Sequence, residues 1–167
     1  QMQHAADFGV QASGIQLAFA DVLKRKEKVV LKSSKGIDYL MKKNKVTVFK
    51  GTGKLALPGK VEITYAEGKK QTIETKNIII ATGSVVRPIP GFETDGKQVV
   101  NSDHILELKD VPKSLIVMGS GAVGVEFASV YSRFGADTTL VELLPRLVPL
   151  EDEEVSKELE RSFRKRG

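Results

Sequence analysis

The sequence predicts an α/β fold: a long helix, a small antiparallel meander and, last, a parallel βαβ unit. Three observations carry this. Leu23, Val30 and Ile37 recur every seven residues, with Val22, Val29, Leu40 and Met41 widening the stripe and lysines opposite, which is helical periodicity. Val61, Ile63 and Tyr65 alternate between the glycine turns Pro58-Gly59 and Gly68-Lys69, which is strand periodicity. A short apolar run, residues 115–118, feeds directly into Gly119-Ser120-Gly121-Ala122-Val123-Gly124; an amphipathic helix pattern and a second short strand, 138–141, follow.

Taken in order, residues 1–18 have weak periodicity and read as loop. The long helix spans 19–43; Gly36 weakens it without ending it, and Asn44 is a stop. Residues 46–50 read as a strand running into Gly51-Thr52-Gly53, where the backbone either adopts glycine conformations or lies against something close. The meander continues through 55–57, 61–65 and 71–75. Residues 77–81, with Ile78, Ile79 and Ile80 at their centre, form a continuous β-branched run, the pattern of a strand buried on both faces. It ends in Ala81-Thr82-Gly83-Ser84, small residues that let a ligand or another backbone approach; a simple tight turn explains them equally well. Residues 85–110, with Arg87-Pro88-Ile89-Pro90-Gly91, read as a connector in which Ser102 or Asp103 caps a short helical turn. The helix of the βαβ unit spans 122–134, has Val123, Phe127, Val130, Tyr131 and Phe134 on one side, and stops at Gly135. A last helix starts near Glu151, acids first and bases last, with Val155, Leu159 and Phe163 on its buried face.

The βαβ unit has the order of a dinucleotide-binding motif: strand, glycine turn, helix, strand, acid. Gly119 permits the tight turn, Gly121 lets a pyrophosphate approach the backbone, and Gly124 lets the helix pack on the strand. The helix start, with Ser120, Ala122 and Val123, offers unpaired N–H groups to phosphate. Glu142 lies 18 residues after Gly124, where an acid accepts ribose hydroxyls, and its charge repels a 2′-phosphate. NAD rather than NADP is therefore the expected ligand. A turn serving packing alone leaves the acid unexplained.

Composition narrows the classes. The 167 residues carry a formal charge of +5, no cysteine and two histidines. The basic runs at 24–45 and 161–166 are not interleaved with aromatics, so solvated helix faces are expected rather than nucleic-acid binding. Without cysteine there is no disulfide framework, thiol nucleophile or cysteine-held metal. No apolar run approaches the roughly 20 residues of a membrane helix. The start, Gln1-Met2-Gln3-His4, lacks a leader pattern, so a cytoplasmic or mitochondrial-matrix location, not secretion, is expected.

Several segments together resemble the two-dinucleotide pyridine nucleotide–disulfide oxidoreductase family, especially its dihydrolipoamide-oxidising members. They are Lys42-Lys43-Asn44-Lys45-Val46, Gly51-Thr52-Gly53-Lys54, Ile79-Ile80-Ala81-Thr82-Gly83-Ser84, the glycine turn through Phe127, Leu140-Val141-Glu142 and Glu151-Asp152-Glu153-Glu154. Glutathione and mercuric reductases share the scaffold. The resemblance implies the end of an FAD-binding domain with its β-meander (1–84), a connector (85–111) and the first half of a Rossmann-like NAD-binding domain (112–167). It implies FAD contacts at Gly53, Thr82, Gly83 and Ser84. Glu126 matches a glutamate that pairs with a lysine beside the flavin; a solvated helix residue is the plainer reading. The implied enzyme passes electrons from dihydrolipoamide through a disulfide and FAD to NAD, as a homodimer serving the lipoyl-bearing protein of a 2-oxo acid dehydrogenase complex. The family's redox cysteines, its FAD glycine motif and its histidine–glutamate pair have no match here. The chain is thus expected to be an internal fragment without catalysis of its own, and no catalytic residue is named. The alternatives are a non-catalytic NAD-binding module, a structural fragment that self-associates through open sheet edges, and a piece of a related disulfide reductase.

Overall fold

The computed structural model describes residues 7, 9, 11 and 13–167; the loop expected at 1–18 lies partly outside them. The fold is mixed α/β. The chain divides into two compact units, Lys26–Arg87 on one side and Gln1–Arg25 with Pro88–Gly167 on the other.

Helix α1 (Phe19–Lys43) runs through the division and has the bounds that its periodicity predicts. Asn44 ends it by donating its side-chain amide to the Leu40 carbonyl at 2.9 Å, and Lys45 takes the left-handed conformation at φ 55°. Its apolar stripe stands exposed at Val29, Val30, Ile37 and Leu40.

In the Lys26–Arg87 unit, β1 (Thr52–Leu57), β2 (Lys60–Thr64) and β3 (Lys70–Glu74) form the antiparallel meander in the order β1-β2-β3. Ile63 is its buried residue, and Tyr65 Oη donates to Gln71 across the β2–β3 turn at 2.6 Å. Two expectations need correction. Residues 46–50 are not a strand, because β2 ends at Thr64 opposite Thr52 and leaves nothing for the earlier residues to pair with. Residues 77–81 are not a buried strand either. The β2–β3 ladder ends at Lys60 and Glu74, and Ile79 and Ile80 are 92% and 69% exposed. β-Branched side chains suit a strand, but burial requires neighbouring strands on each side.

In the other unit, β4 (Ser114–Met118), α3 (Ala122–Arg133) and β5 (Asp137–Val141) form the βαβ element, with β4 and β5 parallel and in register from Ser114/Asp137 to Met118/Val141. Gly135 follows α3 at φ 98°, the left-handed stop that its position predicts. The core is Ile105, Tyr131 and Ala136, with Phe19, Val100, Leu108, Val111, Leu115 and Phe127 packed around it. Phe19, Tyr131 and Phe134 meet with ring centroids 5.6–6.4 Å apart. Tyr131 buries its hydroxyl by donating to the Ile105 carbonyl at 2.9 Å.

The helix faces agree with expectation in part: Phe127 and Tyr131 of α3 do face the core. On α3, Ala128 and Tyr131 are buried, whereas Val123 and Val130 are exposed. On α4 (Glu153–Arg164), which starts two residues later than expected, Ser156 is fully buried and Val155 is exposed. The cap of α2 (Ser102–Leu106) is Asn101, not Ser102 or Asp103; its side chain accepts from the N–H groups of Asp103 and His104.

Candidate functional site

The site grows from the end of β4. The Gly119 N–H donates to the Val141 carbonyl at 2.8 Å, carrying the parallel ladder one step beyond the strands. Gly119 then turns at φ 95°, a left-handed conformation that glycine adopts without strain. Gly121 caps α3 with extended backbone and supplies no side-chain cap to the first N–H groups of the helix. A Cβ on Gly121 would meet nothing within 4 Å, whereas one on Gly124 would collide with the Gly119 carbonyl oxygen. Of these two glycines, one therefore faces open space and the other is required by helix–strand packing.

Glu142 follows β5 and reaches back to this turn. Its Oε2 accepts from the Ser120 N–H at 2.8 Å and from the Ser120 hydroxyl at 2.7 Å. Its Oε1 accepts from the Leu144 N–H at 2.9 Å. These donors, the Leu144 N–H foremost, pull the Glu142 carboxyl down to about 2, so it is ionised at neutral pH. Ser120 and Leu144 supply three of the donors that hold this carboxylate. The arrangement sets the N-terminus of α3 beside a fixed anion.

Gly119, Ser120, Gly121, Ala122, Val123, Gly124 and Glu142 are thus brought together. Glu126 lies exposed on the next turn of α3. The remaining candidates belong to the other unit. Gly53 sits in β1 opposite Ile63 with ordinary backbone. Thr82, Gly83 and Ser84 are exposed, and Gly83 turns at φ 80°. In the Gly51-Thr52-Gly53 stretch the tight spot is Gly51, where a Cβ would lie 2.6 Å from the Thr64 carbonyl oxygen. That is the close approach which the glycines imply, not a left-handed turn.

Sequence reasoning missed two participants. The Val148 N–H donates to the Ser120 carbonyl at 3.0 Å, and the Val148 carbonyl accepts from the Ser156 hydroxyl at 3.3 Å. Neither bond has a periodic signature; the one local hint is a buried serine where an apolar residue would suit the helix face.

The pyridine nucleotide-disulphide oxidoreductase family matches residues 2–167. The chain belongs to that family. Dihydrolipoyl dehydrogenase of Chlorobaculum parvum is 47% identical over 163 residues, which are 98% of this chain and 35% of that protein. The mitochondrial dihydrolipoyl dehydrogenase of Pisum sativum is 40% identical over 162 residues, 97% of this chain and 32% of that protein. Among solved structures, LpdA of Mycobacterium tuberculosis superposes with a TM-score of 0.87 at 27% identity, covering 99% of this chain and 36% of that one. The chain thus spans about a third of the length of the family members it matches. Among the described residues, no helix is long and apolar enough to cross a membrane.

Proposed function

We propose that this chain is the part of a flavin-dependent dihydrolipoamide dehydrogenase that holds NAD, and that the whole protein passes electrons from dihydrolipoamide through a disulfide and FAD to NAD. The observation that carries the reading is the Glu142 carboxylate, ionised and fixed beside the glycine turn by Ser120 and Leu144. The N–H groups at the start of α3 would receive the pyrophosphate, and the open space over Gly121 would admit it. The Glu142 carboxylate would accept a ribose hydroxyl, while its fixed charge would repel a 2′-phosphate, so NAD is favoured over NADP. Bound NAD would supply the hydride acceptor; this chain would bind and orient it.

On the same reading, residues 1–84 belong to an FAD-binding domain, 85–111 connect, and 112–167 begin the NAD-binding domain. Gly53, Thr82, Gly83 and Ser84 would lie against FAD, and Glu126 would pair with a lysine near the flavin. These few exposed residues fit only part of a flavin site. The whole protein would act as a homodimer with the lipoyl-bearing protein of a 2-oxo acid dehydrogenase complex, in the cytoplasm or the mitochondrial matrix. The deciding experiment is an NADH fluorescence titration beside NADPH and Glu142→Ala. Saturable NADH binding that the substitution weakens supports the reading; no binding at millimolar NADH by the folded chain overturns it.

A further inference from the structure

Glu142 is held by Ser120, and something must hold Ser120. Its side chain is fully buried and its N–H and hydroxyl are both committed to Glu142. Its carbonyl, which faces the loop after β5, accepts from the Val148 N–H. Val148 is a β-branched residue at φ 40°, a conformation that a branched side chain resists, and it precedes a proline. Strain of this kind persists only where the surroundings enforce it. Here its carbonyl is gripped twice, by the Glu151 N–H at 2.9 Å and by the Ser156 hydroxyl at 3.3 Å. Ser156 is itself fully buried on α4. An unbroken path of hydrogen bonds thus leads from Glu142 through Ser120 and Val148 to α4.

We propose that Val148 and Ser156 are positioning residues for the nucleotide site: α4, through the Ser156 hydroxyl, pins the strained Val148 so that it fastens the glycine turn and fixes the ribose-facing carboxylate. This rests on the NAD reading for its consequence, but not for its geometry. Ser156 acts only through Val148 and Ser120. The loop between β5 and α4 is thereby an affinity determinant for the dinucleotide.

The test uses the full chain and two readouts. In Ser156→Ala, amide hydrogen exchange at Ser120 and Val148 should quicken about tenfold or more, while exchange at Tyr131 in α3 stays within about twofold. NADH affinity should fall about three- to tenfold. Val148→Gly keeps the N–H and carbonyl and relieves the strain, so it should retain slow exchange at Ser120. Val148→Pro removes the N–H and should release Ser120. Unchanged exchange at Ser120 in both Ser156→Ala and Val148→Pro overturns the brace, and so does equal quickening across α3, which marks a merely structural role. If exchange responds as expected but the unaltered chain binds no NADH, the NAD reading fails while the brace stands. If NADH binds and Glu142→Ala weakens it, yet Ser156→Ala leaves both exchange and affinity unchanged, the brace fails alone.

Discussion

One oxygen of Glu142 accepts both the backbone N–H and the hydroxyl of Ser120, at 2.8 and 2.7 Å, across 22 residues of sequence. The acid at the end of β5 is thus locked to the turn at the end of β4, and the parallel strand pair is closed at its functional end.

This lock has a pH signature. The Glu142 carboxyl is lowered to about 2 by the Leu144 N–H and by the Ser120 side chain and N–H. A carboxyl depressed in the folded state stabilises it above the unfolded value, near 4.5, and loses that contribution as pH falls through the folded value. The stability difference between the unaltered chain and Glu142→Gln, followed by urea denaturation, should be flat from pH 7 to about 5. It should shrink toward pH 2. A difference that stays constant down to pH 2 would show that the carboxylate is not held in the folded chain.

Two glycines of one motif should respond oppositely to alanine. Gly124→Ala drives a methyl into the Gly119 carbonyl and should destabilise the chain by about 1–3 kcal/mol. Gly121→Ala has a permitted backbone, φ −64° and ψ 175°, and open space, so its stability change should stay within about 0.5 kcal/mol. On the NAD reading, its methyl obstructs the pyrophosphate and weakens NADH about tenfold or more. Thermal melts paired with NADH titrations separate the two effects.

Tyr131→Phe should cost about 1–2 kcal/mol, because it leaves the Ile105 carbonyl without its donor in the core. Chemical denaturation reads this directly. A loss below a few tenths of a kcal/mol would mean that water replaces the hydroxyl there.

Gly51→Ala should loosen the meander at its open end. The added methyl meets the Thr64 carbonyl, and the β1–β2 pair must part at Thr52 and Thr64 to relieve the contact. Amide exchange in β1 and the end of β2 should quicken, while β3 near Glu74 is little changed.

Much of the local structure was legible in the sequence. The bounds of α1, the meander's alternation around Ile63 and the left-handed stop at Gly135 follow from periodicity and glycine chemistry. The apolar run at 77–81 misled, since β-branched residues announce a strand only if partners lie beside it. The faces of α3 and α4 misled in part: Ala128 is buried while Val130 is exposed, and Ser156 is buried while its neighbour Val155 is exposed.

The sequence by itself determined the order of elements, the glycine turn and the acid that follows the second strand. These are encoded by residue type at fixed spacing, and local backbone preferences suffice to express them. Only the tertiary structure decided that Ser120 clasps Glu142, that Val148 is held at a positive φ and that Ser156 anchors it from α4. Each of those bonds joins residues of different elements, and their geometry is fixed by how strands and helices pack rather than by any local preference.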